Sequence, residues 1–152
     1  MPRNSFLSES GTSLKARLLL LLLAVSSLAG CGTVLDFSDE RRSRNIAFGH
    51  AWISDQMLPA TISVAGAWTS SGWKDVVLSQ TDRTVKGHFD EYAIDGVVSG
   101  SKAYLLASRD GRYRYSVVLE MPSPHILLGY YSRSIPYESR NRQDLRLDRT
   151  GP

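Results

Sequence analysis

The sequence predicts an all-β fold, a small antiparallel up-and-down β-barrel of about seven or eight strands with a short N-terminal helix. Between residues 62 and 133, turn residues recur about every eight to twelve positions, between runs of Val, Ile, Tyr, Thr and Leu. The segment 112–117 alternates polar and apolar side chains, as a half-buried strand does. Three segments also repeat a glycine pattern typical of bent strands. A curled β-sandwich is the alternative.

Residues 1–30 have the composition of a secretory signal. Arg3, Lys15 and Arg17 precede the apolar stretch LLLLLLAV at 18–25, and small residues follow it. A basic start, a short apolar block and small residues before a cleavage point are the features of such a signal. The apolar stretch of about a dozen residues is too short for a bilayer, which needs about 20.

The segment Leu28-Ala29-Gly30-Cys31 holds the only cysteine of the chain. It resembles the lipobox of bacterial lipoproteins. The resemblance implies cleavage before Cys31, lipidation of its thiol and acylation of the new amino group with chains such as palmitate. Cys31 would then anchor the protein, because two or more acyl chains hold a protein stably on a membrane. Gly32, where aspartate would favour the inner membrane, implies the outer membrane, with the domain facing the periplasm.

The chain after the signal suits one domain. The signal holds three of the 18 basic and one of the 15 acidic residues, so the remainder is close to neutral and shows no charge typical of nucleic-acid binding. We divide the chain into a signal at 1–30, a lipidated tether and short helix at 31–61, a barrel at 62–135, and a polar tail or last short strand at 136–152. Leu145 and Leu147 would belong to that last strand.

A short helix is expected before the barrel. Ser38 is a possible N-cap with acidic residues in the first turn. Ile46, Ile53 and Met57 recur at a spacing that puts them on one helix face. Pro59 is expected to stop the helix.

The turn signals delimit the strands. Asp110-Gly111 between alternating runs strongly predicts a hairpin. The predicted strands are 62–69, 73–81, 84–92, 94–99, 102–108, 112–120 and 125–133.

Three of these strands share one pattern, aliphatic-x-Gly-x-aromatic, at 64–68, 85–89 and 127–131. Alternate residues of a strand share a face, so each strand places an aliphatic side chain, a gap and a ring on one side. Glycine inside a strand marks a bend or a close approach. Either the glycines bend the sheet, or they leave space inside the barrel; the glycines concerned are Gly66, Gly87, Gly96 and Gly129.

Gly66-Ala67-Trp68, followed by the turn at 69–72, is similar to the first strand and turn of avidin-type barrels, and Gly-x-Trp also resembles the first-strand signature of lipocalins. Both belong to the calycin group of barrels, which bind small ligands in their interior. The resemblance implies that Trp68 closes one barrel end beneath a basic side chain, Arg133 or Arg146. Trp73 and Phe89 stand where avidins have hydrogen-bonding residues, so we do not expect biotin as the ligand.

No catalytic constellation is evident in the sequence. His88 and Asp90 would share the solvent face of a strand, and Glu91, Asp95 and His125 are the other candidate acid–base or metal-binding residues. The usual spacing for a third metal ligand is missing. We predict a protein that is not an enzyme and holds no cofactor or metal.

These features lead to two hypotheses for function. The first is non-catalytic binding of a small, partly apolar ligand inside the barrel; the second is a filled barrel that acts as a structural or assembly partner of an envelope protein. In both, the lipid anchor attaches the protein to the membrane. Tyrosines in strands either pack or line a pocket. The residues expected to close the barrel or line a pocket are Trp68, Phe89, Tyr104, Tyr115, Tyr131 and Arg133.

Overall fold

A computed structural model of the chain describes residues 33–135 and 139–151. The predicted signal and Cys31 lie outside the described residues. Helix α1 spans Thr33–Ser54, and a 3-10 turn spans Ser139–Asn141. The eight strands are β1 (Gly66–Thr69), β2 (Val76–Thr81), β3 (Thr84–Phe89), β4 (Tyr92–Ser99), β5 (Lys102–Arg109), β6 (Arg112–Ser123), β7 (Ile126–Ser132) and β8 (Arg142–Arg149).

The strands form a closed barrel in which each strand pairs antiparallel with the next and β8 pairs with β1. The predicted up-and-down barrel is confirmed, and the sandwich alternative is wrong. The tail alternative for the C-terminal residues is wrong over Arg142–Arg149, because this segment pairs with β7 along its whole length. Its alternate residues Leu145 and Leu147 are buried in the barrel.

Alternation of the side chains creates the core. On β5, Ala103, Leu105 and Ala107 point into the barrel and are fully buried. Short turns join most neighbouring strands, and at the predicted β5–β6 hairpin Asp110 and Gly111 have φ angles of 55° and 67°. These are the angles of a type I′ turn, whose twist matches that of the strands it joins.

Two glycines of the repeated pattern lie where neighbouring backbones come close together, whereas a Cβ atom on Gly66 would meet the guanidinium of Arg149. A Cβ atom on Gly129 would lie 1.9 Å from the carbonyl oxygen of Val118, and one on Gly87 would lie 1.9 Å from that of Val77. A side chain cannot fit where two strands approach so closely. Gly87 and Gly129 therefore permit close approach of neighbouring strands and do not open a space inside the sheet.

The two barrel ends differ in their connections. The end that carries the β2–β3, β4–β5 and β6–β7 turns is called the closed end here, because residues 59–64 also cross it. Thr61 donates to the carbonyl oxygen of Gly100 at 2.9 Å, and Val64 donates to the side-chain oxygen of Gln80 at 2.9 Å. The opposite end, with the β1–β2, β3–β4, β5–β6 and β7–β8 connections, is called the open end.

The helix differs from its prediction. It begins at Thr33 rather than after Ser38, it ends at Ser54, before Pro59, and Met57 lies beyond it with 75% of its surface exposed. The predicted face is therefore wrong for Met57, whereas Ile46 and Ile53 lie in the helix and are half-buried.

The part of the helix from Arg41 onward belongs to the compact unit of the barrel. Gly49 packs against the ring of Tyr113 and against Leu106, where its missing side chain permits close approach. Asn45 accepts from the backbone N–H of Tyr113 at 3.0 Å and donates to its carbonyl oxygen at 3.3 Å. These contacts fix that part of the helix on the outer face of β5 and β6.

Among the helices of the described ranges, none combines the length and the apolar character needed to cross a membrane.

Gly129→Ala should lower the free energy of unfolding by about 1–3 kcal/mol, the usual cost of overpacking, because the new methyl group meets the backbone of β6. Gly72→Ala is the matched control. Gly72 has open space around its Cβ position, and we expect a change within about 0.5 kcal/mol. Chemical denaturation followed by far-ultraviolet circular dichroism measures both values. Equal effects of the two changes would contradict the close backbone approach.

Candidate functional site

Trp68 seals the closed end of the barrel. It is 1% exposed, and its indole Nε1 donates to the carbonyl oxygen of Val64 at 3.0 Å. The guanidinium carbon of Arg149 lies 4.3 Å from the centre of the indole ring, within the range of cation–π attraction. Arg149 also donates to the carbonyl oxygens of Ala65, at 3.1 Å, and Pro124, at 2.8 Å. One side chain thus joins β8, the entry to β1 and the β6–β7 turn.

The cation over Trp68 is therefore Arg149, and the expectation of Arg133 or Arg146 is wrong. Odd-numbered residues of β8 point inward, so Arg149 reaches the indole, whereas Arg146 points outward and pairs with Asp148 at 2.7 Å. Arg133 directly follows β7 and so lies at the open end of the barrel, whereas Trp68 lies at the closed end.

Large side chains fill the middle of the barrel above Trp68. Phe89 is fully buried there, and so are aliphatic residues from four other strands. The interior that the sequence suggested as a ligand pocket is thus occupied by the protein's own core at this level. The aliphatic residues are Leu105, Leu119, Leu127 and Leu147.

Four half-buried rings form an aromatic cluster at the open end, Trp73, Tyr92, Tyr115 and Tyr131, above the buried ring of Phe89. The centre of the Trp73 ring lies 4.8 Å from that of Tyr131, 5.0 Å from that of Phe89 and 5.9 Å from that of Tyr115. The Tyr115 ring lies 5.3 Å from Tyr92 and 5.7 Å from Tyr131, both edge to face. The expected residues Phe89, Tyr115 and Tyr131 thus meet in one place.

The β1–β2 connection directs Trp73 into this cluster. The backbone N–H of Ser70 donates to the carbonyl oxygen of Trp73 at 2.7 Å, and the Ser70 hydroxyl accepts from the Trp73 N–H at 2.8 Å. The Asp90 carboxylate accepts from the backbone N–H groups of Lys74, at 3.1 Å, and Asp75, at 2.9 Å. These bonds fold the loop over the barrel mouth.

Sequence reasoning did not select Trp73 as a site residue. The available signal was a large apolar residue between the turn residues Ser70-Ser71-Gly72 and the charged pair Lys74-Asp75. Tyr104, by contrast, was expected at the barrel closure or pocket and lies elsewhere. It points outward from β5, and its ring lies 5.7 Å from that of Trp52 on the helix.

An open cleft of about 970 Å³ adjoins the aromatic cluster. Its wall includes Trp73, Tyr115 and Tyr131 together with two exposed cations, Arg133 and Arg142. Arg133 also borders the two neighbouring depressions of about 510 and 450 Å³. The wall of the cleft therefore combines rings with charges of both signs, because Glu120, Asp144 and Asp148 line it as well as the cations.

The rim cations are not neutralised by nearby acids. Within residues 33–135 and 139–151, no carboxylate lies within ion-pair distance of Arg133 or Arg142. The guanidinium of Arg142 covers the ring of Tyr130 at 4.1 Å, and the Tyr131 hydroxyl donates to Gln143. Arg133 thus presents its guanidinium at the open end for an anionic partner, whereas Arg142 lies on the outer face of β8 over Tyr130.

The other ionisable side chains considered from the sequence do not assemble. His88 Nε2 lies 3.2 Å from Asp75 on an exposed surface near the open end, while His125 occupies the β6–β7 turn at the closed end. In the part of the chain that the structure describes, no three His, Cys, Asp or Glu residues gather in a way that could hold a metal ion.

Comparison with protein-family models, with curated proteins and with solved structures found no match for this chain.

Trp68→Ala should lower the free energy of unfolding by about 3–5 kcal/mol, because it removes a fully buried ring and leaves Arg149 without its aromatic partner. Trp52→Ala removes a half-buried indole from the outer helix, and it should lower the free energy of unfolding by clearly less than Trp68→Ala does. Thermal unfolding of both variants gives the comparison. A melting temperature that barely shifts in Trp68→Ala would contradict the role of this ring in closing the barrel.

Proposed function

We propose that the protein binds a small, partly apolar ligand at the open end of its barrel and does not transform it. The aromatic cluster carries this proposal. Its rings are half-buried and not covered by the core, and they line a cleft large enough for a small molecule. Mainly apolar walls with a few placed polar groups are typical of ligand sites.

The rim suggests which ligand chemistry fits. Arg133 borders the cleft that the rings line, and a guanidinium binds carboxylate or phosphate groups through paired hydrogen bonds. The Tyr131 hydroxyl and Gln143 add neutral polar groups. The best match is a molecule with a flat or chain-like apolar part and one anionic group.

The proposed site lies at the mouth of the barrel, whereas the first hypothesis from the sequence placed the ligand inside it. The ligand would lie over the mouth of the barrel, because the core fills the level of Phe89 and the level of Trp68 below it. Trp73 would form one wall of the site or move aside as the ligand enters.

A second candidate function follows from the filled core. Since Gly87 and Gly129 open no space inside the sheet and the interior is packed with side chains, the barrel could serve as a structural or assembly partner of an envelope protein through its outer surface. In that case the aromatic cluster is an exposed part of the core and binds no small molecule.

The cellular place of this activity is part of the proposal. The lipobox-like segment ending at Cys31 supports an acyl-anchored protein of the cell envelope, and Gly32 supports the outer membrane with the barrel facing the periplasm. Both residues lie outside the described ranges.

An anionic naphthalene dye, 1-anilinonaphthalene-8-sulfonate, tests the ligand site. We expect saturable binding of one dye per chain with quenching of Trp73 fluorescence. Arg133→Gln should weaken binding about five- to tenfold through loss of a charged hydrogen bond, and Trp73→Leu should weaken it at least as much.

Trp52→Phe is the control for this titration, because Trp52 lies on the outer helix against Tyr104, away from the cleft. It should leave the dye affinity unchanged. Binding that is unsaturable, or that Arg133→Gln and Trp73→Leu leave intact in folded protein, would favour the second candidate function.

Cys31→Ser tests the anchor separately. If Cys31 carries the acyl chains, the variant should incorporate no alkyne-labelled fatty acid and should leave the membrane fraction, whereas the unchanged chain is labelled and sediments with membranes. Equal labelling of the two proteins would rule out this residue as the anchor.

A further inference from the structure

One edge of β8 is not covered by another strand. β1 pairs with β8 only at Trp68↔Arg149 and Thr69↔Asp148. Among the described residues, the pairing of β1 with β8 ends at Thr69, and the Ser70 N–H bonds to the Trp73 carbonyl within the β1–β2 turn. The cleft described above runs between this turn and β8, so the edge is open to solvent.

The hydrogen bonds at the end of β8 show which residues form the free edge. The N–H of Arg149 donates to His125 on the β7 side at 2.9 Å, and that of Thr150 donates to Ala67 on the β1 side at 2.9 Å. Successive residues of a strand alternate in direction, so the backbone groups of Asp144 and Arg146 point to the β1 side.

Those backbone groups have no partner on that side. Over residues 33–135 and 139–151, no loop or side chain bonds to the edge-directed N–H or carbonyl of Asp144 or Arg146. A row of unpaired donors and acceptors is a template for pairing with another strand. Side-chain charges then determine which strand fits.

The outward side chains of β8 alternate in sign: Arg142, Asp144, Arg146 and Asp148. All four are exposed or half-buried. Read in the antiparallel direction, this series is complementary to itself. When Asp144 faces Arg146 of a second copy, Arg146 faces that copy's Asp144.

We propose that two copies of this chain pair through the free edges of β8, antiparallel and with the two-fold axis beside Leu145. Two hydrogen-bonded residue pairs would form, with about four backbone hydrogen bonds between the subunits. On the outer surface, Asp144 lies opposite the partner's Arg146, and opposite charges across a strand pair stabilise it. The same patch serves both subunits, as a two-fold interface requires.

The existing ion pair within β8 is compatible with this arrangement. Arg146 binds Asp148 through two nitrogens, with Nε at 3.1 Å and the terminal nitrogen at 2.7 Å. These hydrogen bonds hold the pKa of Asp148 below its usual value, so both groups are charged at neutral pH. A guanidinium has five N–H donors, so Arg146 can also bind a second carboxylate.

The pairing and the proposed ligand site border the same cleft beside β8, but they depend on different groups. The pairing uses the backbone edge and the outward charges of β8, whereas the ligand site uses ring faces and the cation Arg133. A negative result in the dye titration therefore does not count against the proposed dimer. A protein that proves to be monomeric likewise does not count against the proposed ligand site.

Sedimentation equilibrium of the full chain in density-matched detergent tests the dimer. The unchanged protein should show a monomer–dimer equilibrium. Asp144→Arg places like charges opposite each other twice in the symmetric pair and should raise the dissociation constant about tenfold or more. The double variant Asp144→Arg/Arg146→Asp restores opposite charges and should recover most of the affinity.

Asp55→Arg is the matched control, with the same change of net charge at an exposed position after the helix; it should leave the dissociation constant unchanged. Circular dichroism checks that each variant is folded. A chain that stays monomeric at all concentrations overturns the proposal, including when it captures an extended peptide of another protein instead. A dimer that Asp144→Arg does not weaken, or that the charge exchange does not recover, overturns it as well.

Discussion

Closure of the sheet between its first and last strands is the constraint on which this molecule depends. β1 contributes only four residues, and it meets β8 at two residue pairs. Such a short ladder gives few hydrogen bonds, and the contact between Trp68 and Arg149 strengthens it where it is formed. Arg149 is effective because it bonds to backbone on both sides of the seam while its guanidinium rests on the indole.

The short first strand also explains why the barrel has two unlike ends. At the closed end the crossing segment, Trp68 and Arg149 exclude solvent. Towards the open end β1 has already turned away, so β8 continues without its neighbour and Trp73 fills part of the mouth from the loop. The free edge of β8 and the position of Trp73 in the mouth are thus consequences of one feature, a first strand that is too short to cover the last.

Much of the barrel was predictable from the sequence, because its information is local. Turn residues marked most strand boundaries, and alternation identified the inward residues. Gly-x-Trp marked Trp68 as a closing residue, but its partner was not predictable: β8 has only two apolar residues, Leu145 and Leu147, so the sequence left a polar tail and a last short strand both open. It becomes a strand only because β7 and β1 supply partners distant in sequence.

Other features depend on tertiary contacts that no local pattern encodes. The predicted strand 73–81 is wrong at Trp73, which lies in the loop before Val76, where periodicity gives no direction for a side chain. The helix packs through Gly49, since Tyr113 can approach there, whereas an apolar spacing rule selected Met57. Tyr104 could not be assigned to the inner or outer face until the register of β5 was known, and it lies beneath the helix.

Native mass spectrometry of gently purified protein, residues 32–152, tests the central claim most directly, namely that the open end of a filled barrel holds a small molecule. We expect a reproducible mass adduct of one per chain, lost on denaturation and absent from Trp73→Ala. A bare mass in several independent preparations would contradict the ligand site.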